Sequence, residues 1–233
     1  MAGRAVMTPR ALIGGRTSTG TGRHTVGHGE LPHEMPYNQC DRYAPNRRMA
    51  LAEVSIFQGL PAGDLALLEA RSRVRKYRKN TQVLSRGDES DSLYIVVEGR
   101  VRIYRDDHDK EITLDLLGPG DCFGELAPLG DGPRSANAVT LTPATLRSVS
   151  KEALLSCIAS EPELALRIIR LLVARLTATT DDLSSLALLD VYGRLARVLR
   201  KHARREGERL VVEQFSHRDL ANMIGASREM VSP

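Results

Sequence analysis

Two hydrophobic rhythms follow one another along this chain of 233 residues, and together they leave few architectures open. Residues 73–149 read as short β-branched and aromatic runs, Leu93-Tyr94-Ile95-Val96-Val97 and Val101-Arg102-Ile103-Tyr104 among them. Turn signals cut them apart at Arg86-Gly87-Asp88, Glu98-Gly99 and Gly118-Pro119-Gly120-Asp121. Many short strands at this spacing predict an antiparallel barrel or roll. Past residue 151 the rhythm becomes helical. Ala165, Ile169, Leu172, Leu176, Thr179, Leu183 and Leu186 stand alternately four and three apart, a heptad seam. Spacing alone fits a helix that pairs with a partner chain and equally one that lies on its own roll. Pro162 and the stretch Asp190 to Gly193 bracket it, and a second helix is expected from Arg194 to about Arg205, closed by Glu206-Gly207.

At the near end, Asp64 is the expected N-cap of a short helix through Leu65, Leu67 and Leu68. At the far end, Ser216-x-x-Asp219 opens an apolar helix like a capping box. A turn at Gly225 and a second start at Ser227 complete a helix-turn-helix pattern.

Charge and cysteine content narrow the function classes. Residues 1–48 carry seven Arg against Glu30, Glu34 and Asp41, which accounts for the whole formal net charge of +4. The remainder is balanced, so the case for nucleic acid rests on local motifs. The first 48 residues show no hydrophobic period and are expected to be a disordered tail. Cys40, Cys122 and Cys157 lie far apart, which disfavours a disulfide framework or a clustered metal site. No apolar run is long enough for a membrane span and no signal-peptide pattern appears, so a cytoplasmic protein without metal is expected. No nucleophile–base pair or P-loop suggests an enzyme.

One string carries chemistry: Phe123-Gly124-Glu125-Leu126-Ala127, then Gly130-Asp131-Gly132-Pro133-Arg134-Ser135-Ala136. A cyclic phosphodiester needs a cation with planar donors, which Arg134 supplies, and a hydroxyl donor, which Ser135 supplies. Gly124 lets backbone approach closely, and Glu125-Leu126-Ala127 can open one helical turn whose amides face an anion. Glu125 suits a sugar hydroxyl, with Arg134 compensating its charge. A turn with a surface salt bridge is the plainer reading of Glu125 and Arg134 taken alone.

FGELAPLGDGPRSA resembles the phosphate-binding cassette of cyclic-nucleotide-binding domains. Its setting resembles the cyclic-AMP receptor branch of the Crp/Fnr family of bacterial transcription regulators. RLTATTDDLSSLALLDVYGRLARVL and SHRDLANMIGASREMVS extend the likeness over about residues 51–233. The resemblance implies an α+β fold: an N-terminal β-roll (49–160), a dimerisation helix (161–189) and a winged helix-turn-helix (190–233). It implies Gly124, Glu125, Leu126, Ala127, Arg134 and Ser135 as ligand contacts, with Glu125 on the ribose 2′-hydroxyl and Arg134 and Ser135 on the phosphate. Thr179 and Thr180 would meet adenine, one of them across a homodimer, with cyclic AMP favoured over cyclic GMP. Asp190 and Gly193 would form the hinge, with Asp190 capping the next helix. Double-stranded DNA and RNA polymerase are the implied macromolecular partners.

Arg228 and Glu229 fall at the start of the recognition helix, where Arg can grip guanine and Glu can accept from cytosine N4. Ser216, Ser227 and Ser232 are expected to touch phosphates or cap helices. The chain departs from the family pattern by ending at Pro233, before a full recognition helix and wing. The alternative expectation is therefore a cyclic-nucleotide-binding module that does not bind DNA.

Overall fold

The computed structural model describes residues 5–7, 49–89, 91–108, 110–130, 132–206, 209–212 and 215–232. Two four-stranded antiparallel sheets form the roll. One has the order β2-β9-β4-β7 and contains β2 (Ser72–Tyr77), β4 (Ser92–Glu98), β7 (Cys122–Phe123) and β9 (Ala144–Ser150). The other has the order β3-β8-β5-β6 and contains β3 (Gln82–Leu84), β5 (Val101–Asp107), β6 (Lys110–Leu117) and β8 (Asn137–Thr140). The sequence and the structure agree on the α+β class.

The period-two pattern of β4 sends side chains into two separate cores. Leu93 and Ile95 join Phe57, Leu68, Val149 and Leu154 beneath the helices, while Val96 meets Leu84, Val101, Phe123 and Leu146 inside the roll. Three helices close over the first core: α1 (Ala62–Ala70), α3 (Lys151–Ser160) and the start of α4 (Pro162–Leu188). The expectation for Asp64 was wrong. Pro61 holds the N-cap position, and Asp64 sits in the first turn and accepts a hydrogen bond from Ser160 at 3.1 Å.

One flank of α4 buries Leu164 and Ile168 against the roll. The other leaves Leu166, Ile169, Val173, Leu176 and Leu183 exposed. These residues are spaced 3, 4, 3 and 7, and Thr180 stands in the gap of seven. Leu186 is exposed as well, so of the seam read from sequence Ile169, Leu176, Thr179, Leu183 and Leu186 face outward, while Leu172 is partly buried. Thr179 lies four residues after Arg175, in the row nearer the roll.

Asp190 caps α5 (Val191–Lys201), accepting from the Gly193 amide at 2.7 Å. Gly193 lies inside this first turn and does not interrupt the helix. A Cβ there would come within 3.1 Å of the capping Asp190 oxygen. The chain breaks one step earlier, at Leu189, whose backbone is extended. The second helix is also shorter than its sequence suggests. It stops at Lys201, and Ala203–Glu206 (β10) pairs antiparallel with Arg209–Val212 (β11). A third strand, Ala5–Met7 (β1), pairs with β11, so the expectation of a wholly disordered 1–48 fails at these three residues. The rest of that tail, and Pro233, lie outside the described residues.

His202 follows α5 and is half-buried, edge-on against Phe215, with ring centroids 5.3 Å apart. Burial, reinforced by Lys201 and Arg100, pulls its pKa from 6.5 down to about 4. The folded state therefore favours neutral imidazole, and this contribution to stability is present above pH 6.5 and lost as pH falls towards 4. Chemical denaturation of wild type and His202→Leu between pH 7 and 4.5 should separate the two slopes. The wild type should lose on the order of 3 kcal/mol more than the variant over the full span between the two pKa values. Parallel slopes would refute the assignment.

Candidate functional site

The string 123–136 folds into a compact corner of the roll. Gly124 follows β7 with φ +74, in the left-handed region, and α2 (Leu126–Gly130) begins two residues later. The positive φ favours glycine, and a Cβ there would lie 2.6 Å from Arg134 Nη1 and push the guanidinium from its place. Arg134 is 3% exposed, and its guanidinium donates from Nη1 to the Gly124 carbonyl at 2.5 Å and from Nη2 to the Ser92 carbonyl at 2.7 Å. It also lies 5.7 Å from the centre of the Tyr94 ring, which stacks on Phe123. Burial lowers the Arg134 pKa from its ordinary value, opposed by Tyr94, Asp91, Glu125 and Asp88. Ser135 is exposed beside it, and Leu126 is exposed on the short helix while Ala127 is buried.

Glu125 is 4% exposed, and its partner is not the residue expected from sequence. Its Oε1 pairs with Arg175 Nη1 at 2.6 Å, and Arg134 is occupied with backbone carbonyls. Arg175 also donates to the Cys122 carbonyl. Burial works against the Arg175 charge, but Glu125, with help from Asp115, outweighs it and raises the pKa. Arg175 is thus the site residue that sequence reasoning missed. It bridges the cassette and α4 from 50 positions away, and the only signal was that a buried carboxylate needs a cation. Glu125 Oε2 is buried and accepts no hydrogen bond from any described residue.

One turn beyond Arg175, Thr179 and Thr180 are exposed, and each hydroxyl donates to a carbonyl of its own helix, Arg175 and Leu176 respectively, at 2.9 Å. Asp181 and Asp182 come next and reach across the break to α5. Arg197 Nη2 lies 3.3 Å from Asp182 and 3.9 Å from Asp181, and Lys201 lies 3.7 Å from Asp182.

The helix-turn-helix comprises α6 (His217–Ile224) and α7 (Arg228–Val231). Ser216 and Asp219 form the expected capping box, and Gly225 turns the chain with φ +62. Ser227 and Ser232 flank α7 at its two cap positions. Arg228 and Glu229 are exposed. The Glu229 carboxyl is held below its usual range by hydrogen bonds from its own amide and from Ser227, with Arg228 adding to the effect. The unit rests on the roll: Asn222 donates to Glu111 of β6 at 3.2 Å, and Glu111 is also paired with Arg102 at 3.0 Å.

A roll with a buried glutamate–arginine cassette, tied through a long helix to a helix-turn-helix, defines a cyclic-nucleotide-responsive DNA-binding regulator. Comparison with known proteins agrees. Residues 74–161 match the cyclic nucleotide-binding domain and residues 193–233 the Crp-like helix-turn-helix domain. A "CRP-like cAMP-activated global transcriptional regulator" of Mycobacterium tuberculosis is 36% identical over 188 residues, covering 78% of this chain and 84% of that protein. The "Cyclic AMP receptor protein" of Thermus thermophilus is 34% identical over 178 residues, covering 76% and 82%. Among solved structures, the c-di-GMP-responsive global regulator CLP of Xanthomonas campestris superposes with a TM-score of 0.63 at 30% identity, covering 73% of this chain and 88% of that one. The chain belongs to the Crp/Fnr family of transcription regulators.

Proposed function

We propose that this protein is a homodimeric transcription regulator whose DNA-reading helices are repositioned by cyclic AMP. The observation that carries the ligand reading is the buried, unsatisfied Oε2 of Glu125, whose charge is felt by the buried guanidinium of Arg134. A buried carboxylate oxygen without a donor is costly, and a ribose hydroxyl would satisfy it. Arg134 and Ser135 then hold the cyclic phosphate, with Gly124, Leu126 and Ala127 shaping the cradle. The names of the mycobacterial and Thermus relatives favour cyclic AMP.

Thr179 faces the ligand of its own subunit, and Thr180, on the exposed seam, reaches the ligand of the partner. Both give up a bond to their own helix to do so. Ligand therefore favours the dimer arrangement in which both threonines are engaged, and the gain is limited to its differential affinity for that state. The break at Leu189, capped by Asp190 and allowed by Gly193, acts as the hinge. The Asp182–Arg197 and Asp182–Lys201 pairs couple it to the threonines just upstream. At the far end Arg228 and Glu229 read base edges, while Ser216, Ser227 and Ser232 contact phosphates. RNA polymerase is the partner through which bound protein acts.

Calorimetric titration with cyclic AMP, cyclic GMP and cyclic di-GMP tests the ligand. Saturable binding of cyclic AMP, at least tenfold tighter than either other nucleotide, is expected. Preference for cyclic di-GMP, or no binding at all, would overturn the reading.

A further inference from the structure

A cavity lies beside the cassette, lined by residues outside the string 123–136. It holds about 420 Å³, a volume suited to a small molecule, and opens over the inward face of β2, β9 and β4. Its chemistry is set by Arg71, Arg73 and Arg75. Arg73 pairs with Ser148 and Arg75 with Leu146 across the sheet, so the alternation of β2 turns both towards the same side. Same-face positions on a strand are about 6.6–6.8 Å apart, so these heads suit a ligand with several anionic groups more than a single oxyanion. None of the three forms an ion pair with a described residue, and Asp91 is the one carboxylate among the lining residues, leaving two net positive charges.

Side chains around the arginines supply the rest of a binding site. Ser92 and Ser148 bring hydroxyls to the same cavity, and Tyr77 adds a phenol two residues from Arg75. Guanidinium forks match phosphate oxygens bidentately, and each terminal phosphate offers more acceptors than a carboxylate. A duplex is too broad for so small a concavity. Gly124, Glu125, Arg134 and Ser135 are not among the lining residues, although Arg134 adjoins the cavity, donating to the Ser92 carbonyl and lying over Tyr94.

We infer that the Arg71–Arg73–Arg75 cavity binds a small oligophosphate, at a site separate from the cyclic-nucleotide cassette. Calorimetry on the full chain at 0.15 M salt, with tripolyphosphate as probe, tests this. Saturable binding of one tripolyphosphate per chain is expected, and Arg73→Ala/Arg75→Ala should weaken it about tenfold or more. Both positions are exposed on the strand, so the thermal midpoint and cyclic AMP binding of the double variant should match wild type. Saturating cyclic AMP should leave tripolyphosphate binding in place. If cyclic AMP itself fails to bind, the tripolyphosphate titration still decides this proposal. Heat that does not saturate, an affinity unchanged in the double variant, or displacement by cyclic AMP would overturn it. Tighter binding of a hexa-aspartate peptide than of tripolyphosphate would also overturn it, by pointing to an acidic protein segment.

Discussion

Replacing Arg134 with alanine should weaken cyclic AMP binding by two orders of magnitude or more. A hydrogen bond to a charged group contributes about 1.5–3 kcal/mol, and a guanidinium on a phosphate makes two. Loss of both comes to roughly 3–6 kcal/mol, where each 1.4 kcal/mol is tenfold in Kd. The side chain has a second duty that the experiment must separate. It is 3% exposed and ties the carbonyls of Gly124 and Ser92 together, so its loss leaves two acceptors short of their donor. Arg134→Lys provides the comparison. It keeps the charge but cannot bridge two carbonyls or grip a phosphate in two places, so intermediate affinity is expected. Calorimetry for binding and thermal melting for stability, run on both variants, give the two readouts. Full affinity in Arg134→Ala would remove the cassette from the mechanism.

What could be read from sequence followed the range of the interactions involved. The cassette was legible because Gly124, Glu125, Arg134 and Ser135 lie within one short segment, each with a local chemical reason. Arg175 was not, because its claim on the site is the 2.6 Å contact with Glu125, which exists only once α4 crosses the roll. The same limit hid which members of the seam the roll covers: Leu172 is partly buried and its neighbour Val173 is exposed. A 3–4 spacing specifies a stripe but not which neighbouring stripe the roll covers, and the burial of Leu164 and Ile168 decided it. Ala203–Glu206 followed a helix and is rich in arginine, so its local preference ran on as helix. Pairing with Arg209–Val212 overrode that preference. The capping residues behaved oppositely. Asp190 and Ser216 act on amides three residues away, and both do what their sequence positions suggest.

The exposed face of α4 sets the other large effect. Leu176 and Leu183 are 68% and 66% exposed, and Ile169 and Val173 are more than half exposed, in one line along the helix. In the proposed homodimer this stripe is the contact surface, since a contiguous exposed apolar patch marks an interaction site. Symmetric pairing of two such helices would bury each leucine twice. At about 1.5–3 kcal/mol per buried side chain, the four leucines contribute roughly 6 kcal/mol or more to association. Leu176→Glu/Leu183→Glu should therefore raise the dimer dissociation constant by over about four orders of magnitude, leaving a 25.6 kDa species in sedimentation equilibrium. Because neither residue is buried within the subunit, the fold itself should survive. Thr180 lies between them, so the same variant removes the partner's hydroxyl from the ligand. Cyclic AMP binding should weaken together with dimerisation, while Arg134→Ala should weaken it in a chain that still dimerises. A variant that remains a dimer would show that α4 meets its partner along a different face.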